Sequence, residues 1–349
     1  MRIYQIDPTK DARWAEFVER HPKASVFHTV AWLQALRRTY GYQTVAFTTS
    51  PPKGELKNGL VFCSIKSWLT GCRLVSLPFS DHCEPLCDSA EDLTFLIRYL
   101  QTALDHQNWK YVELRPITRN LGEISGEGGF LPSAAYFLHT LDLHPDTNEI
   151  FRNLDKDSVQ RRIQRAERAG LAVECGISND LLKEFYALFV LTRGRHLLPP
   201  IPYVWFRNLI RYQGDALQIR VAYKDRTPIS SVLTLQLKDT LYYKYGCSDA
   251  RYHNLGATPW LLWRAIAAAK ANGATRFDMG RTQEGNAGLL AFKNHWVPQP
   301  ERLFYWRFPE VSFLDSADGW KLKMAKRVFS HMPGGLLKMT GKLLYRHIG

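Results

Sequence analysis

The stretch TLYYKYGCSDARYHNLGATPWLLWRAIAAAKANGATRFDMGRTQEGNAGLLAFKNHW, Thr240 to Trp296, decides how this chain folds. Leu241, Tyr243 and Tyr245 alternate with Tyr242, Lys244 and Gly246, the period of a two-faced strand, which puts Tyr243 and Tyr245 on one face. Thr258 can cap a following helix, with Pro259 in its first turn and Gly273 at its exit. The segment between them, WLLWRAIAAAKA, is apolar nearly all round, as in a helix buried on most sides. Arg276 to Gly280 then reads as a second strand, with Phe277 and Met279 on one face and Asp278 on the other.

Chemistry can sit in the turn after the first strand. His253, Gly256 and Thr258 follow the spacing X-x-x-Gly-x-small just before a helix start, where backbone N–H groups and the positive helix end favour a phosphate. This resembles the acyl-CoA site of the GNAT N-acyltransferases, Arg/Gln-x-x-Gly-x-Gly/Ala, with His253 and Thr258 replacing the usual end residues. A glycine before a capped helix is also often only a turn. The longer order is more specific: a Tyr-x-Tyr-Gly strand, a Pro-led helix, a Phe-Asp-x-Gly strand and a Gly-Leu-x-x-Phe-Lys helix. It resembles the second half of the Fem-type (FemAB-like) tandem GNAT acyltransferases, which add amino acids to peptidoglycan precursors. The resemblance rests on Tyr243, Tyr245, Gly246, Asp278, Gly280, Gly288, Leu289, Phe292 and Lys293.

A length of 349 residues favours two domains, and an apolar fraction of 45% supplies a sizeable core. The opening residues MRIYQIDPTKDARW hold no continuous apolar run, so no signal peptide is expected, and no run reaches the length of a spanning helix. A cytoplasmic location is expected. The six cysteines are too sparse for a disulfide framework. His82, Cys83 and Cys87 lie close together but lack a fourth spaced ligand, so reduced structural thiols and no metal are expected. The net charge of +13 points to a phosphate-rich partner. From Gly319 onward there are seven Lys/Arg and no Asp or Glu.

Alternating helices and strands imply an α/β fold with mixed sheets. The first unit, residues 1–144, has strands near Arg2–Ile6, Gln43–Thr48, Leu60–Lys66, Arg73–Leu77, Tyr111–Arg115 and Tyr136–Leu143. Its helices are expected at Ala12–Arg20, Phe27–Tyr40 and Glu91–His106. The second unit, residues 145–310, has a basic helical stretch at Asn148–Gly170 and a strand at Leu171–Gly176. Helices follow at Asp180–Arg195 and Tyr203–Tyr212, then a meander over Leu217–Lys224, Ile229–Leu237 and Leu241–Cys247. The Fem resemblance implies two GNAT-like units packed in tandem. Residues 311–349 read as a basic amphipathic tail, whose segments Trp320–Ser330 and Leu336–Tyr345 suit peripheral contact with an anionic membrane. Packing on the second domain, or a loose terminus, is the alternative for that tail.

A GNAT-type transferase needs positioning, an oxyanion donor and a proton path. Gly246 and Cys247 are placed to offer a backbone N–H to the reacting carbonyl, and with His253, Gly256 and Thr258 they form the donor-binding set. Tyr243 or Tyr245 can hand a proton to the leaving group, or both can be sheet aromatics. Asp278 points as a site-facing residue would, and Arg281 follows at the strand end; a structural Asp–Arg pair is the alternative. Asp249 can bind the acceptor or simply cap its turn. The Fem resemblance implies that Lys293 faces the reaction centre and helps hold phosphate or developing negative charge. Lys293→Met is then expected to abolish transfer with little change in melting temperature. Arg161 and Arg162, on the basic helix, can receive an anionic carrier or form a solvated face. In such relatives the first unit helps hold the acceptor, which makes Asp81, His82 and Glu113 acceptor-site candidates.

The resulting expectation is an N-acyltransferase using acyl-CoA as co-substrate, with no permanently bound cofactor. Its acceptor is an amine of a sugar- or lipid-linked envelope or exopolysaccharide precursor. The alternatives are aminoacyl transfer from tRNA in building peptidoglycan cross-bridges, and a non-catalytic binding module on the same fold.

Overall fold

The computed structural model describes residues 2–68, 71–117, 129–310 and 345–347. The chain opens with β1 (Tyr4–Ile6), α1 (Ala12–Arg20), α2 (Val30–Tyr40), β2 (Gln43–Thr48), β3 (Leu60–Ser67) and β4 (Gly71–Val75). There follow α3 (Ala90–His106), β5 (Val112–Leu114), β6 (Leu131–Asp142), α4 (Thr147–Asn153) and α5 (Arg161–Arg168). Next come β7 (Ala172–Gly176), α6 (Asn179–Arg195), α7 (Tyr203–Gln213), β8 (Leu217–Lys224) and β9 (Thr227–Leu237). The last are β10 (Thr240–Ser248), α8 (Ala257–Ala271), β11 (Arg276–Gln283), α9 (Ala287–Asn294) and β12 (Glu301–Phe308).

The described residues fall into two compact units. One holds the chain up to Tyr136, rejoined from Leu303 onward, and the other runs from Phe137 to Arg302. In the first unit the strand order is β1-β2-β3-β4-β5-β12. Successive pairs are antiparallel from β1 to β4, then β4 pairs β5 in parallel and β5 pairs β12 antiparallel. In the second unit the order is β7-β8-β9-β10-β11-β6, again antiparallel from β7 to β10 and parallel between β10 and β11. The same plan is therefore built twice. Each unit has a meander, a helix that crosses back, and a parallel strand. No strand was expected at 301–308, yet Arg307 lies opposite Glu113 and completes the first unit's sheet.

Each sheet carries its own core. Leu96, Ile97 and Leu100 from α3 pack on Phe47, Phe62 and Val112. In the second unit Trp260, Leu261, Ala265 and Ile266 from α8 pack with Ile150, Ile163, Phe277 and Trp296. Asn148–Gly170 resolves into α4, a widened turn at Lys156–Gln160 and α5. Ile163 and Ala166 hold α5 to the core and leave most of its arginines outward.

Of the tail, segment 320–330 and residues 336–344 lie outside the described residues. Tyr345–His347 sit on the first unit, where the Tyr42 hydroxyl donates to the Tyr345 carbonyl (2.9 Å) and Arg73 donates to that of His347 (2.7 Å). No helix among the described residues is long and apolar enough to cross a membrane.

Candidate active site in the second unit

β10 and β11 pair in parallel only over Thr240–Tyr242 and Arg276–Asp278. Beyond that, β10 stays on β9 to Ser248 while β11 runs to Gln283. The strands therefore part, and beyond Tyr242 this edge of β10 has no ladder partner among the described residues.

A bulge lies at that parting. Tyr243 pairs with Thr234 and Tyr245 with Leu233, so Lys244 is an extra residue in the strand. It resets the alternation and corrects the expectation that Tyr243 and Tyr245 share a face. Tyr243 packs in the cluster with Leu241, Trp260 and Trp296. Tyr245 turns to the other side, edge-on to Phe189 and Phe206, and accepts a hydrogen bond from Trp205 Nε1 at 2.9 Å.

The bulge also sorts the amides. Asp249 N–H donates to Ile229 O at 2.9 Å, so ladder alternation aims the amides of Cys247 and Asp249 at β9 and those of Gly246 and Ser248 away from it. The Ser248 amide is taken by Thr192 Oγ1 at 2.9 Å. Of the expected pair Gly246 and Cys247, then, Gly246 is the one whose N–H points to the vacated edge. Cys247 lies with its thiol near the carbonyls of Phe185 and Ser231 (3.5 and 3.6 Å), and burial pushes that thiol up.

The Tyr243 phenol lies against Gly246, occupying the space a Cβ there would need. Its hydroxyl makes no hydrogen bond among the described residues. Burial pushes its pKa above the ordinary tyrosine value, so it keeps its proton through neutral pH.

β11 is shaped by a linked set. Asp278 is buried and accepts from Gly280 N–H at 2.6 Å, and Gly280 has φ +71°. This kink lets two successive carbonyls face one donor: Lys293 Nζ, 3% exposed, binds Gly280 O at 2.8 Å and Arg281 O at 3.1 Å. The Phe-Asp-x-Gly and Phe-Lys motifs are thus one device holding the bent strand. Arg281 is half-buried beside it. His139, fully buried, reaches Asn294 Oδ1 at 2.8 Å. Burial pushes its pKa down, and the Lys293 charge adds to that. Neither His139 nor Asn294 stood out in the sequence, because each needs β6 and α9 brought together.

The turn before α8 departs from expectation in two ways. The cap of α8 is Gly256 in the left-handed conformation, not Thr258, whose hydroxyl instead lies 2.8 Å from Ser230 Oγ. Any Cβ at Gly256 would strike the carbonyl oxygen of Arg162, so this glycine is required by the crossing of α5 over the turn. His253 contacts Ser248 Oγ at 2.8 Å, and its pKa is lowered by burial and by Arg195 and Arg162. Arg162 is exposed, and Arg165 donates to Asn254 O at 3.1 Å. Arg161 pairs with Asp157 one turn back. Asp249 caps its own turn and is bound by Arg251 through both oxygens, which lowers its pKa.

In the first unit the corresponding opening is filled. Ser76 N–H bonds Glu113 O (2.8 Å), Ser76 Oγ accepts from Arg115 N–H (2.9 Å), and Arg115 reaches Leu77 O (2.8 Å). Glu113 is buried between Arg115 and Arg307, at 2.8 and 2.6 Å. Burial alone would raise its pKa, but the two guanidiniums outweigh it and hold the carboxyl at about 2. Asp81 offers its carbonyl to the Tyr305 hydroxyl (2.8 Å), and His82 is buried edge-on to Phe27. Of these three acceptor candidates, Glu113 and His82 are buried within the first unit and Asp81 is half-buried. Among the described residues no group of three His, Cys, Asp or Glu is placed to hold a metal.

Comparison with known proteins agrees with this geometry. The model of the GNAT acetyltransferase domain matches residues 155–294. A search of curated sequences gives no match. Among solved structures, FemX is similar at 13% identity and TM-score 0.69, covering 89% of this chain and 98% of its own. The C-terminal domain of a proposed lysylphosphatidylglycerol synthetase from Agrobacterium fabrum gives 15% and 0.56, covering 92% and 96%. A tandem GNAT protein from the clavulanic acid biosynthesis pathway gives 11% and 0.55, covering 88% and 97%. Residues 155–294 therefore form a GNAT acetyltransferase domain, and the chain as a whole shares its fold with FemX and with a tandem GNAT protein.

Proposed function

We propose that the second unit transfers an acyl group from acyl-CoA to an amine of a cell-envelope or exopolysaccharide precursor. The observation that carries this reading is the parting of β10 from β11, with Gly246 N–H on the open edge and the Tyr243 hydroxyl beside it. A thioester carbonyl on that edge would accept from Gly246 as the amine attacks carbon. The C–S bond then breaks, Tyr243 gives its proton to the departing thiolate, and the proton shed by the acylated nitrogen restores the phenol. Lys293, held on two carbonyls, acts here as a positioning residue for β11. Phosphates of the donor would meet Arg162, Arg195 and His253 near the start of α8.

A second reading, aminoacyl transfer from tRNA, draws support from the outward arginines of α5 and the net charge of +13. Supplying acetyl-CoA, longer acyl-CoAs and charged tRNA separately with amine-bearing envelope precursors separates the two. Thiol release with acyl-CoA and no loss of aminoacyl-tRNA is expected. Consumption of the tRNA donor alone overturns the first reading.

A further inference from the structure

The second unit contains a cavity of about 210 Å³ that the reacting edge does not use. It lies at the C-terminal end of α8, roughly 20 Å along that helix from Gly256 at 1.5 Å per residue. Ala269, buried on α8, and Ala268, exposed beside it, line the space there, and their small side chains leave it open. Leu241 closes one side.

The charged group in its wall is Arg220, a sheet residue half-buried under the helix. Its guanidinium makes one side-chain hydrogen bond, from Nη1 to Thr234 Oγ1 at 3.1 Å. Among the described residues no carboxylate pairs with it. Burial lowers its pKa and Arg264 nearby adds to that, so the charge sits in an environment that disfavours it. A partly desolvated cation without a counter-ion is costly, and most of the five N–H donors of this one are uncommitted. Gln218 and Gln236 also line the space, and Asp215 stands exposed at its rim.

We propose that this cavity binds a small zwitterion of amino-acid size, its carboxylate on Arg220 and its ammonium toward Asp215. A planar guanidinium matches a carboxylate through two parallel hydrogen bonds. The volume is below the roughly 300–1,000 Å³ of clefts that take larger ligands. The site does not depend on which donor the reacting edge accepts.

Calorimetry and thermal unfolding of the full chain with L-alanine, glycine, acetate, methylamine and inorganic phosphate test this. L-Alanine and glycine are expected to bind saturably at millimolar concentration and to raise Tm, with acetate weaker and methylamine silent. Arg220→Gln should abolish the shift, and Asp215→Asn should weaken alanine while sparing acetate. Ala268→Leu narrows the space from the exposed face of α8, where folding tolerates it, and should weaken alanine roughly tenfold or more. No saturable binding of either amino acid overturns the proposal. So does unchanged affinity in Ala268→Leu, or acetate or phosphate binding as tightly as alanine.

Discussion

Lys293 shows how a residue conspicuous in sequence acquires a different physical meaning in place. Its motif was legible, but burial against Gly280 O and Arg281 O could not be read from spacing alone. Replacing it with methionine leaves two carbonyls without their charged donor, a loss of about 2–4 kcal/mol. Lys293→Met should therefore lower the denaturant midpoint as well as transfer, correcting the expectation of an unchanged melting temperature. An unchanged midpoint would mean that other donors take over these carbonyls. Tyr243 was legible as a candidate too. Its separation from Tyr245 was not, because one extra residue, Lys244, turns every later side chain to the opposite face.

At the scale of elements, the order from β7 to α9 was readable because hydrophobic period and turn residues agree there. The start of α8 misled for a local reason. Thr258 and Pro259 look like a helix opening, but the left-handed Gly256, two residues before Thr258, carries the cap, and α5 lies against it. That contact sets up a comparison of two glycines. Gly273 has φ +87° and open space around it, so alanine there should cost only the backbone penalty of about 1–2 kcal/mol. Gly256→Ala adds a collision with the Arg162 carbonyl and should cost roughly 1–2 kcal/mol more. Chemical denaturation of both variants measures the difference, and equal losses would remove the role given to the α5 crossing. β12 escaped the sequence reading although Leu303 to Trp306 are good strand formers between Pro300 and Pro309. Its partner β5 lies far away along the chain, and no local signal announces the pairing.

Across the whole molecule, the two units repeat one plan but use it differently. The second keeps its strands apart, while the first fills the same place with Ser76, Glu113 and Arg115. The Fem resemblance implied this repetition, but the residues of the two halves do not show it, because strand pairing, not residue identity, is what recurs. The first unit's buried groups also govern its response to acid. His28 is pushed by burial to about 4, and Glu113 is held at about 2. Both folded values lie below the unfolded ones, so their stabilisation is present above the unfolded pKa and is lost as pH falls. For His28 the window runs from about 6.5 to 4, and for Glu113 from about 4.5 to 2. The Glu113 contribution is on the order of 3 kcal/mol. Denaturation curves should steepen in their loss of stability below pH 4.5, and Glu113→Gln should be less stable at pH 7 yet flatter across that acid window. A variant that keeps the full acid slope would assign it to other carboxyls.

The reaction proposed for the second unit is acyl transfer at the open edge of β10. Its most direct measurement is thiol release from acyl-CoA by the wild-type chain and by Tyr243→Phe, in the presence of an amine-bearing envelope precursor. Release is expected in the wild type, with a fall of about 10²–10⁴-fold in Tyr243→Phe at unchanged Tm, the span typical of a lost general acid. Wild-type turnover in Tyr243→Phe, or no release by the wild type with any acyl-CoA, would contradict it.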